Sequence, residues 1–344
     1  MTPEKNGCTF GNTNCFHTSA YMRVSRSNTT YSETQLLSSC GHLQIPYPFG
    51  FGPDCYLDKW FEIGCNTTGG SAKAFLTSMN MEVRQINISS SPLNRHYSFV
   101  PTVQVQIPII YSKFCQLAGN HSVTNISGSP FNFSASDNTF ISVGCDNFAT
   151  ITNIFPKVFG CKSDCKKDLK VEEGLKCSGL NCCESTNIPS KLQVFDVDFR
   201  SVNESNDRGG VRKRCKYAFL VDKGWLEINK PDPSSVHHKD YVPVVLDWAI
   251  YNWNNNSGEL FHFFNNRGDV SCSFSDEDKG FNRFTCHCTR GYKGNPYLDG
   301  GCEGKLQIHT ALMKKHISQQ IFRFIKFKIN HEIDQFQIQQ ILCA

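Results

Sequence analysis

The feature that most constrains this chain is its set of eighteen cysteines in 344 residues, spread from Cys8 to Cys343. Reducing compartments keep thiols free, so this density indicates an oxidising, extracellular setting in which disulfides form. Zinc knuckles are the alternative, but they need paired C-x-x-C arms, and the sequence contains none. We therefore predict disulfides and no metal site. The disulfide candidates are Cys40, Cys55, Cys65, Cys115, Cys145, Cys161, Cys165, Cys177, Cys182, Cys183, Cys215, Cys288 and Cys302.

A second pattern agrees with an extracellular setting. The glycosylation acceptor N-x-S/T, with a middle residue other than proline, occurs eight times. A glycan is bulky and polar, so each used site is expected on an exposed loop or strand edge. Eight acceptors in a cysteine-rich chain favour a secreted glycoprotein. The predicted sites are Asn28, Asn66, Asn87, Asn120, Asn125, Asn132, Asn203 and Asn255.

Charge and hydropathy exclude some classes of protein. The formal net charge is only +4, whereas a protein held to a polyanion by bulk charge is far more basic, so nucleic acid is not expected as a partner. The start of the chain lacks the apolar stretch of a signal peptide, and no run approaches the roughly 18 apolar residues that span a bilayer. Because this conflicts with a secreted class, we interpret the chain as a fragment or an incorrectly predicted gene product.

Most of the chain has the pattern of short β-strands. Segments such as WFEIGC and VQVQIPII have strand length and partial alternation, and Asp222-Lys223-Gly224 is predicted to be a turn between two strands. Residues 303–344 change composition and carry isoleucine every fourth residue, a helical periodicity. The predicted fold class is mostly β: a disulfide-rich, extracellular, multi-module chain with a partial EGF-like module and a divergent tail with helical periodicity.

The stretch CGHLQIPYPFGFGPDCYLDKWFEIGC resembles the galacturonan-binding module of plant wall-associated receptor kinases, with Cys-Gly, IPYPFG and two later cysteines in the family's order. GLNCCESTNIPSKLQVFDVDF, CKYAFLVDKGWLEI and VPVVLDWAI resemble the family's next module, and GYKGNPYLDGGC resembles an EGF-like segment. The resemblance divides residues 33–302 into a galacturonan-binding-like module (33–115), a wall-associated-kinase C-terminal-like module (116–250) and a degenerate EGF-like module (251–302). Composition sets apart a polar, loosely ordered lead (1–32) and the divergent tail (303–344).

The resemblance implies the ectodomain of a receptor that contacts pectin in the plant cell wall. Full-length relatives are anchored in the plasma membrane and carry a cytoplasmic kinase, whereas this sequence has no HRD or DFG string. The family's usual cysteine before Cys40 is missing, so Cys40 is expected to pair elsewhere or to stay free. The resemblance implies a Cys288–Cys302 pair and leaves Cys272 and Cys286 without their usual partners.

Pectin presents a carboxylate on each sugar and apolar ring faces, so cations and aromatic rings are the expected contacts. We select Lys59, Arg84 and Arg95 for carboxylates and Trp60 and Tyr47 for stacking. Ordinary surface charges and buried aromatics are the alternatives at these positions.

The predicted function is the binding of pectic polysaccharide, and the rival is the binding of a peptide or a co-receptor. No cofactor is predicted, although calcium, which prefers oxygen ligands, is left open as a bridge to pectin. No G-x-S-x-G, H-E-x-x-H or P-loop motif occurs, so the chain is not expected to be an enzyme.

Overall fold

The computed structural model describes residues 39–52, 55–88, 100–113, 115, 123–152, 154, 158–164, 177–201, 215–229, 239–251, 257–274 and 283–304. Some sequence-based predictions lie outside these residues: those on the lead, on residues 305–344 of the tail, and at Arg95, Cys165, Asn28, Asn120, Asn203 and Asn255.

The described residues form mainly short strands, as the composition predicts. The first twelve are β1 Ser39–Cys40, β2 Leu43–Gln44, β3 Ile63–Asn66, β4 Lys73–Leu76, β5 Met81–Asn87, β6 Thr102–Pro108, β7 Ile110–Tyr111, β8 Thr124–Asn125, β9 Phe131–Phe133, β10 Asn138–Val143, β11 Asn147–Ile151 and β12 Phe159–Ser163. The remainder are β13 Ser178–Leu180, β14 Cys182–Ser185, β15 Val194–Phe195, β16 Val197–Arg200, β17 Tyr217–Asp222, β18 Tyr241–Trp248, β19 Ile250–Tyr251, β20 Val270–Phe274, β21 Arg283–Cys288, β22 Tyr292–Gly294 and β23 Cys302–Gly304.

The largest sheet has six strands in the order β3-β4-β5-β6-β18-β9. Strand β6 shows why this sequence forms a sheet: Val103, Val105 and Ile107 are fully buried, and the residues between them are only half-buried. Strand β18 pairs antiparallel with β6 along seven residues. The sheet therefore joins segments that are far apart in the sequence.

A second sheet has five strands in the order β13-β14-β10-β17-β7, and a three-stranded sheet has the order β12-β11-β16. Strand β10 is buried along its whole length, which is typical of a strand covered on both faces. Its first residue, Asn138, also contacts the six-stranded sheet, because its side-chain amide bonds the backbone of Val245 in β18. The two largest sheets are thus directly linked.

Aromatic side chains fill the core beside the six-stranded sheet. The ring of Phe49 lies 5.1 Å from Phe61 and 5.5 Å from Trp248, both edge to face. The ring of Tyr297, from the segment that the sequence predicts to be EGF-like (251–302), lies 5.4 Å from Trp248. Edge-to-face contacts of this kind add stability beyond the area they bury. The Tyr297–Trp248 contact places the segment against the same core as the Pro-Phe-Gly stretch.

The EGF-like segment is held by backbone and side-chain bonds as well. Its strands form a three-stranded sheet, β19-β21-β20, and a β22-β23 ribbon. Asn295 Nδ2 donates to the carbonyl of Tyr47 at 2.7 Å, and the Cys286 N–H donates to the Tyr297 hydroxyl at 3.0 Å. The Asn295 bond joins the segment to the Pro-Phe-Gly stretch, and the Tyr297 bond is internal to the segment.

Disulfides join the strands at many points, which confirms the disulfide-rich fold class. Cys55 and Cys145 are also disulfide-bonded. The pairs that join described residues are Cys40–Cys65, Cys115–Cys215, Cys161–Cys183, Cys177–Cys182, Cys272–Cys286 and Cys288–Cys302.

Two of these pairs answer questions that the sequence left open. Cys40, which lacks the family's usual preceding cysteine, pairs with Cys65. Cys272 and Cys286, which the resemblance leaves without their usual partners, pair with each other, because they face one another in the β20-β21 ladder. The segment predicted to be a degenerate EGF-like module is therefore crosslinked.

The predicted turn at Asp222-Lys223-Gly224 is wrong. Strand β17 ends at Asp222, and a short helix, α1 (Lys223–Asn229), follows directly. The Asp222 side chain accepts a hydrogen bond from the Gly224 N–H at 2.8 Å, which satisfies one free donor of the first helical turn. Aspartate favours turns and helix starts for the same chemical reason, so the local pattern does not separate them.

A second helix, α2, spans Ser257–Asn265. Within the described residues, neither helix has the length or the apolar run that a membrane crossing requires.

Candidate carbohydrate-binding site

One face of strands β3, β4 and β5 carries polar and aromatic side chains. Register places Gly64 opposite Phe75 and Asn66 opposite Lys73, while Phe75 also faces Glu82 on β5. The residues between them, such as Ala74 and Leu76, point into the core. We call this surface the outer face and define it as Gly64, Asn66, Lys73, Phe75, Glu82 and Arg84.

An open groove of about 440 Å³ lies on the outer face beside the edge strand β3. That volume is in the range of roughly 300–1,000 Å³ typical of small-molecule sites. The groove is lined by Gly64, Cys65, Asn66, Thr67, Phe75, Thr77 and Asn80.

The groove exists because Gly64 has no side chain opposite the Phe75 ring. A Cβ built at Gly64 would meet only Thr77 Oγ1, at 3.3 Å, so the space above the strand is otherwise open. Phe75 is half-buried and forms an apolar floor. The amides of Asn66 and Asn80 and the hydroxyl of Thr77 supply donors and acceptors at the walls. An apolar ring surrounded by such groups suits a sugar, which has an apolar face and a rim of hydroxyls.

Cations lie at one end of the outer face. Lys73 Nζ is 3.0 Å from Glu82 Oε2, and Arg84 Nη1 is 3.0 Å from Glu82 Oε1. The Lys73 and Arg84 side chains are both about half exposed, at 52% and 53%. One carboxylate between two cations leaves a net charge of +1. Since the Lys73 and Arg84 side chains are exposed to water, each ion pair is weak. Either cation can therefore leave Glu82 and pair with a carboxylate of a ligand.

A further cation lies near the turn at the opposite end of β4. Lys59 belongs to a 3-10 turn, Lys59–Phe61, and its carbonyl accepts a hydrogen bond from Ser78 Oγ at 2.7 Å. The Lys59 ammonium is 5.4 Å from the centroid of the Trp60 ring, and the Asp58 side chain accepts from the Trp60 N–H at 3.1 Å. This turn therefore holds an exposed cation and a half-buried indole beside the β4–β5 turn.

The residues predicted from the sequence are only partly brought together. Lys59 and Trp60 are adjacent, and Arg84 lies on the outer face beyond the groove. Tyr47 is only 6% exposed and packs in the core, and burial raises the pKa of its hydroxyl to about 12. Tyr47 is therefore a buried core aromatic, which is the alternative considered for it, and it is not positioned to stack on a sugar. Arg95 lies outside the described residues.

Phe75 and Gly64 are not among the residues predicted from the sequence to contact pectin. The segment Lys73–Leu76 alternates, which places Lys73 and Phe75 on one face of a strand, and that signal was available. The role of Gly64 depends on its partner across the ladder, which no local pattern specifies.

The predicted glycosylation sites differ in exposure. Asn66, Asn87 and Asn125 are exposed. Asn132 is only half-buried rather than exposed, because it lies within β9, paired with Asp247 of β18. The middle and last residues of its acceptor motif, Phe133 and Ser134, are fully buried.

Comparison with known proteins places these features in a family. A model described as "Wall-associated receptor kinase galacturonan-binding" matches residues 34–96, and one described as "Wall-associated kinase" matches residues 174–257. The chain belongs to the wall-associated receptor kinase-like family, as an extracellular part.

Relatives in Arabidopsis thaliana agree. Wall-associated receptor kinase-like 10 is 29% identical over 306 residues, covering 77% of this chain and 38% of the relative. Wall-associated receptor kinase-like 1 is 32% identical over 306 residues, covering 81% and 39%. Wall-associated receptor kinase-like 6 is 29% identical over 287 residues, covering 77% and 43%. The chain thus spans about two fifths of the length of these relatives. No solved structure matches it.

The groove lies inside the region that the galacturonan-binding model matches. All its lining residues fall between Gly64 and Asn80, within residues 34–96. Strand β18, which extends the same sheet, falls within the region matched by the wall-associated kinase model. In this family member the two matched regions therefore contribute strands to one sheet.

Proposed function

We propose that this chain binds pectic galacturonan in the plant cell wall through the groove and the cations at its two ends. The observation that carries the proposal is the groove with Phe75 in its lining, on an outer face that also carries Lys73 and Arg84, with Lys59 beside the β4–β5 turn. The match of residues 34–96 to a galacturonan-binding model supports the same ligand. The names of the relatives support a location in the wall.

The chemistry of the ligand fits this order of groups. Galacturonan carries a carboxylate on each sugar, and carboxylates form charge-assisted bonds to lysine and arginine. Its rings offer apolar faces to an aromatic side chain. The four-residue step from Lys73 to Thr77 is about 13 Å long at 3.3 Å per residue, which leaves room for more than one sugar ring along the strand. We propose non-covalent binding rather than catalysis.

The test is the affinity of the full chain for de-esterified oligogalacturonides, measured by calorimetry before and after enzymatic removal of N-glycans. Exposed ion pairs are worth about 0.2–1 kcal/mol, so Lys73→Ala or Arg84→Ala should weaken binding about 1.4- to fivefold each. Phe75→Ala should weaken it by a similar or larger factor. Fully methyl-esterified oligomers should bind more weakly, because they lack the carboxylates.

Matched controls are available elsewhere in the chain. Lys162 is 50% exposed and pairs with Asp164 at 3.5 Å, much as Lys73 pairs with Glu82, so Lys162→Ala should leave the affinity unchanged. Phe274 is 51% exposed, so Phe274→Ala is the control for Phe75→Ala and should also leave the affinity unchanged. Equal losses in the control and site variants would contradict the placement of the site.

Calcium is an explicit variable in the experiment. Within the described residues, no cluster of three or more His, Cys, Asp or Glu side chains is arranged to hold a metal ion. We therefore expect binding to persist in EDTA, with calcium acting only on the pectin. If the chain binds no oligogalacturonide with or without calcium or N-glycans, the proposal fails and a peptide or co-receptor becomes the better candidate.

A further inference from the structure

One glycosylation acceptor lies in the wall of the groove itself. Asn66 begins the sequence Asn66-Thr67-Thr68, and both Asn66 and Thr67 line the groove. Register places Asn66 on the outer face opposite Lys73, two residues along the strand from Gly64. A sugar attached here would start within the space that the proposed ligand needs.

The local hydrogen bonds leave Asn66 Nδ2, the atom that would carry the glycan, accessible. Asn66 Oδ1 accepts from the Thr68 N–H at 2.9 Å and from Thr68 Oγ1 at 2.6 Å. These bonds hold the amide in one orientation through its oxygen. Within the described part of the chain, no group pairs with Nδ2, the atom to which an N-glycan is joined, and Asn66 is exposed.

We propose that N-glycosylation of Asn66 closes the groove to pectin, so that occupancy of this one acceptor regulates binding. The inference rests on the proposed function. The first sugar of an N-glycan is a pyranose with an apolar face and an acetamido group, so Phe75, Thr77 and Asn80 can contact it as they would a pectin sugar.

Tethering gives the glycan the advantage over free pectin. A ligand joined by a short linker has an effective concentration of about millimolar or more, so a contact with Phe75 that has a dissociation constant of about 0.1 mM is occupied about 90% of the time. The glycan core is neutral and makes no use of Lys73 or Arg84. Glycosylation therefore blocks the groove to pectin, while Lys73 and Arg84 are left without a carboxylate ligand from the glycan.

Another acceptor on the same sheet provides a comparison. Asn87 is exposed at the end of β5, but it is not among the residues that line the groove. Its amide donates to Thr102 Oγ1 at 3.2 Å. A glycan there should leave the groove open.

The experiment compares Thr68→Ala with Thr68→Ser in the full secreted chain. Both variants keep Asn66, but only serine preserves the acceptor motif. Glycopeptide mapping should show Asn66 occupied in the parent and in Thr68→Ser and unmodified in Thr68→Ala. The alanine variant should bind de-esterified oligogalacturonide at least about tenfold more tightly than the other two. Asn87→Gln should bind like the parent.

Trimming the glycans distinguishes blockage of the groove by the first sugar from steric crowding by the outer sugars. If all glycans are cut back to the first sugar, binding by the parent should stay weak, since that sugar covers Phe75. Recovery of full affinity after trimming would overturn the proposal, as would an unmodified Asn66 in the parent chain. Equal, measurable binding by Thr68→Ala and Thr68→Ser would overturn it while leaving the pectin site intact. Absence of binding by all forms would instead overturn the pectin site, and the regulation with it.

Discussion

Asn138 links the two largest sheets, and its removal should be among the most costly single changes in this fold. The residue is fully buried at the start of β10. Its Nδ2 donates to the carbonyls of Ser134 at 3.0 Å and Val245 at 2.7 Å, and its Oδ1 accepts from the Val245 N–H at 2.8 Å. Because β9 ends at Phe133, this side chain continues the bonding to β18 where that strand stops.

The expected loss follows from counting these bonds. A net contribution of about 1 kcal/mol for each of three buried hydrogen bonds gives about 3 kcal/mol. In Asn138→Ala the Val245 N–H also loses its acceptor. An unsatisfied buried donor costs about 1–3 kcal/mol, and this cost replaces the roughly 1 kcal/mol counted for that bond. The free energy of unfolding should therefore fall by about 4 kcal/mol. Asn138→Asp should lose at least as much at pH 7, because its carboxylate would face two carbonyl oxygens.

Urea unfolding of the full, unreduced chain measures this loss. The control is Asn229→Ala, since Asn229 is exposed at the end of α1 and makes one bond, to the Trp225 carbonyl at 2.8 Å. That variant should lose less than about 1 kcal/mol. If Asn138→Ala stays within about 1 kcal/mol of the parent, water or a rearranged backbone must satisfy Val245, and the described link between the sheets is not a stabilising one.

Three further predictions concern stability. Replacing Cys115 and Cys215 together by serine opens a loop of 100 residues and should lower the free energy of unfolding by about 4–5 kcal/mol, measured by urea unfolding; a loss under about 1 kcal/mol would contradict this. Burial raises the pKa of Asp247 from its usual 3.8 to about 6, so the stability that its protonation contributes is present below 3.8 and lost as pH rises through about 6. Asp247→Asn should therefore gain about 2–2.5 kcal/mol on the parent between pH 4 and pH 7, and an unchanged difference across that range would refute the assignment. Tyr297→Phe removes the acceptor of the Cys286 N–H and should lose about 1–2 kcal/mol in the same assay, whereas a neutral result would show that this donor finds another partner.

The strands could be predicted where burial alternates, and not where tertiary contacts decide. The segment VQVQIPII predicts a strand, and Thr102–Pro108 forms one with alternate residues buried. Its partner β18 begins more than a hundred residues later, and nothing local to either strand specifies the pairing. The turn predicted at Asp222 fails for a related reason. Its side chain caps α1, and whether the chain continues as helix or strand depends on what the next residues pack against.

The chemistry of the site could be predicted more readily than its location. A ligand rich in carboxylates calls for cations and aromatic rings, and Lys59, Trp60 and Arg84 are available near the surface. The same rule also selected Tyr47, which packs in the core. Side-chain type defines what a residue can bind, whereas exposure depends on which face of a sheet it occupies, and only the ladder register determines that.

The register of the edge strand explains why the groove exists at all. In the observed ladder Gly64 lies opposite Phe75, so the ring has no side chain across from it. A slip of β3 by one residue would place Ile63 or Cys65 opposite Phe75 in place of Gly64, so a side chain would fill the groove above the ring. Edge strands are the ones most free to slip, but β3 carries Cys65, whose disulfide to Cys40 ties it to the β1-β2 hairpin. The cysteines that indicate an extracellular chain therefore also hold the strand that shapes its proposed binding surface.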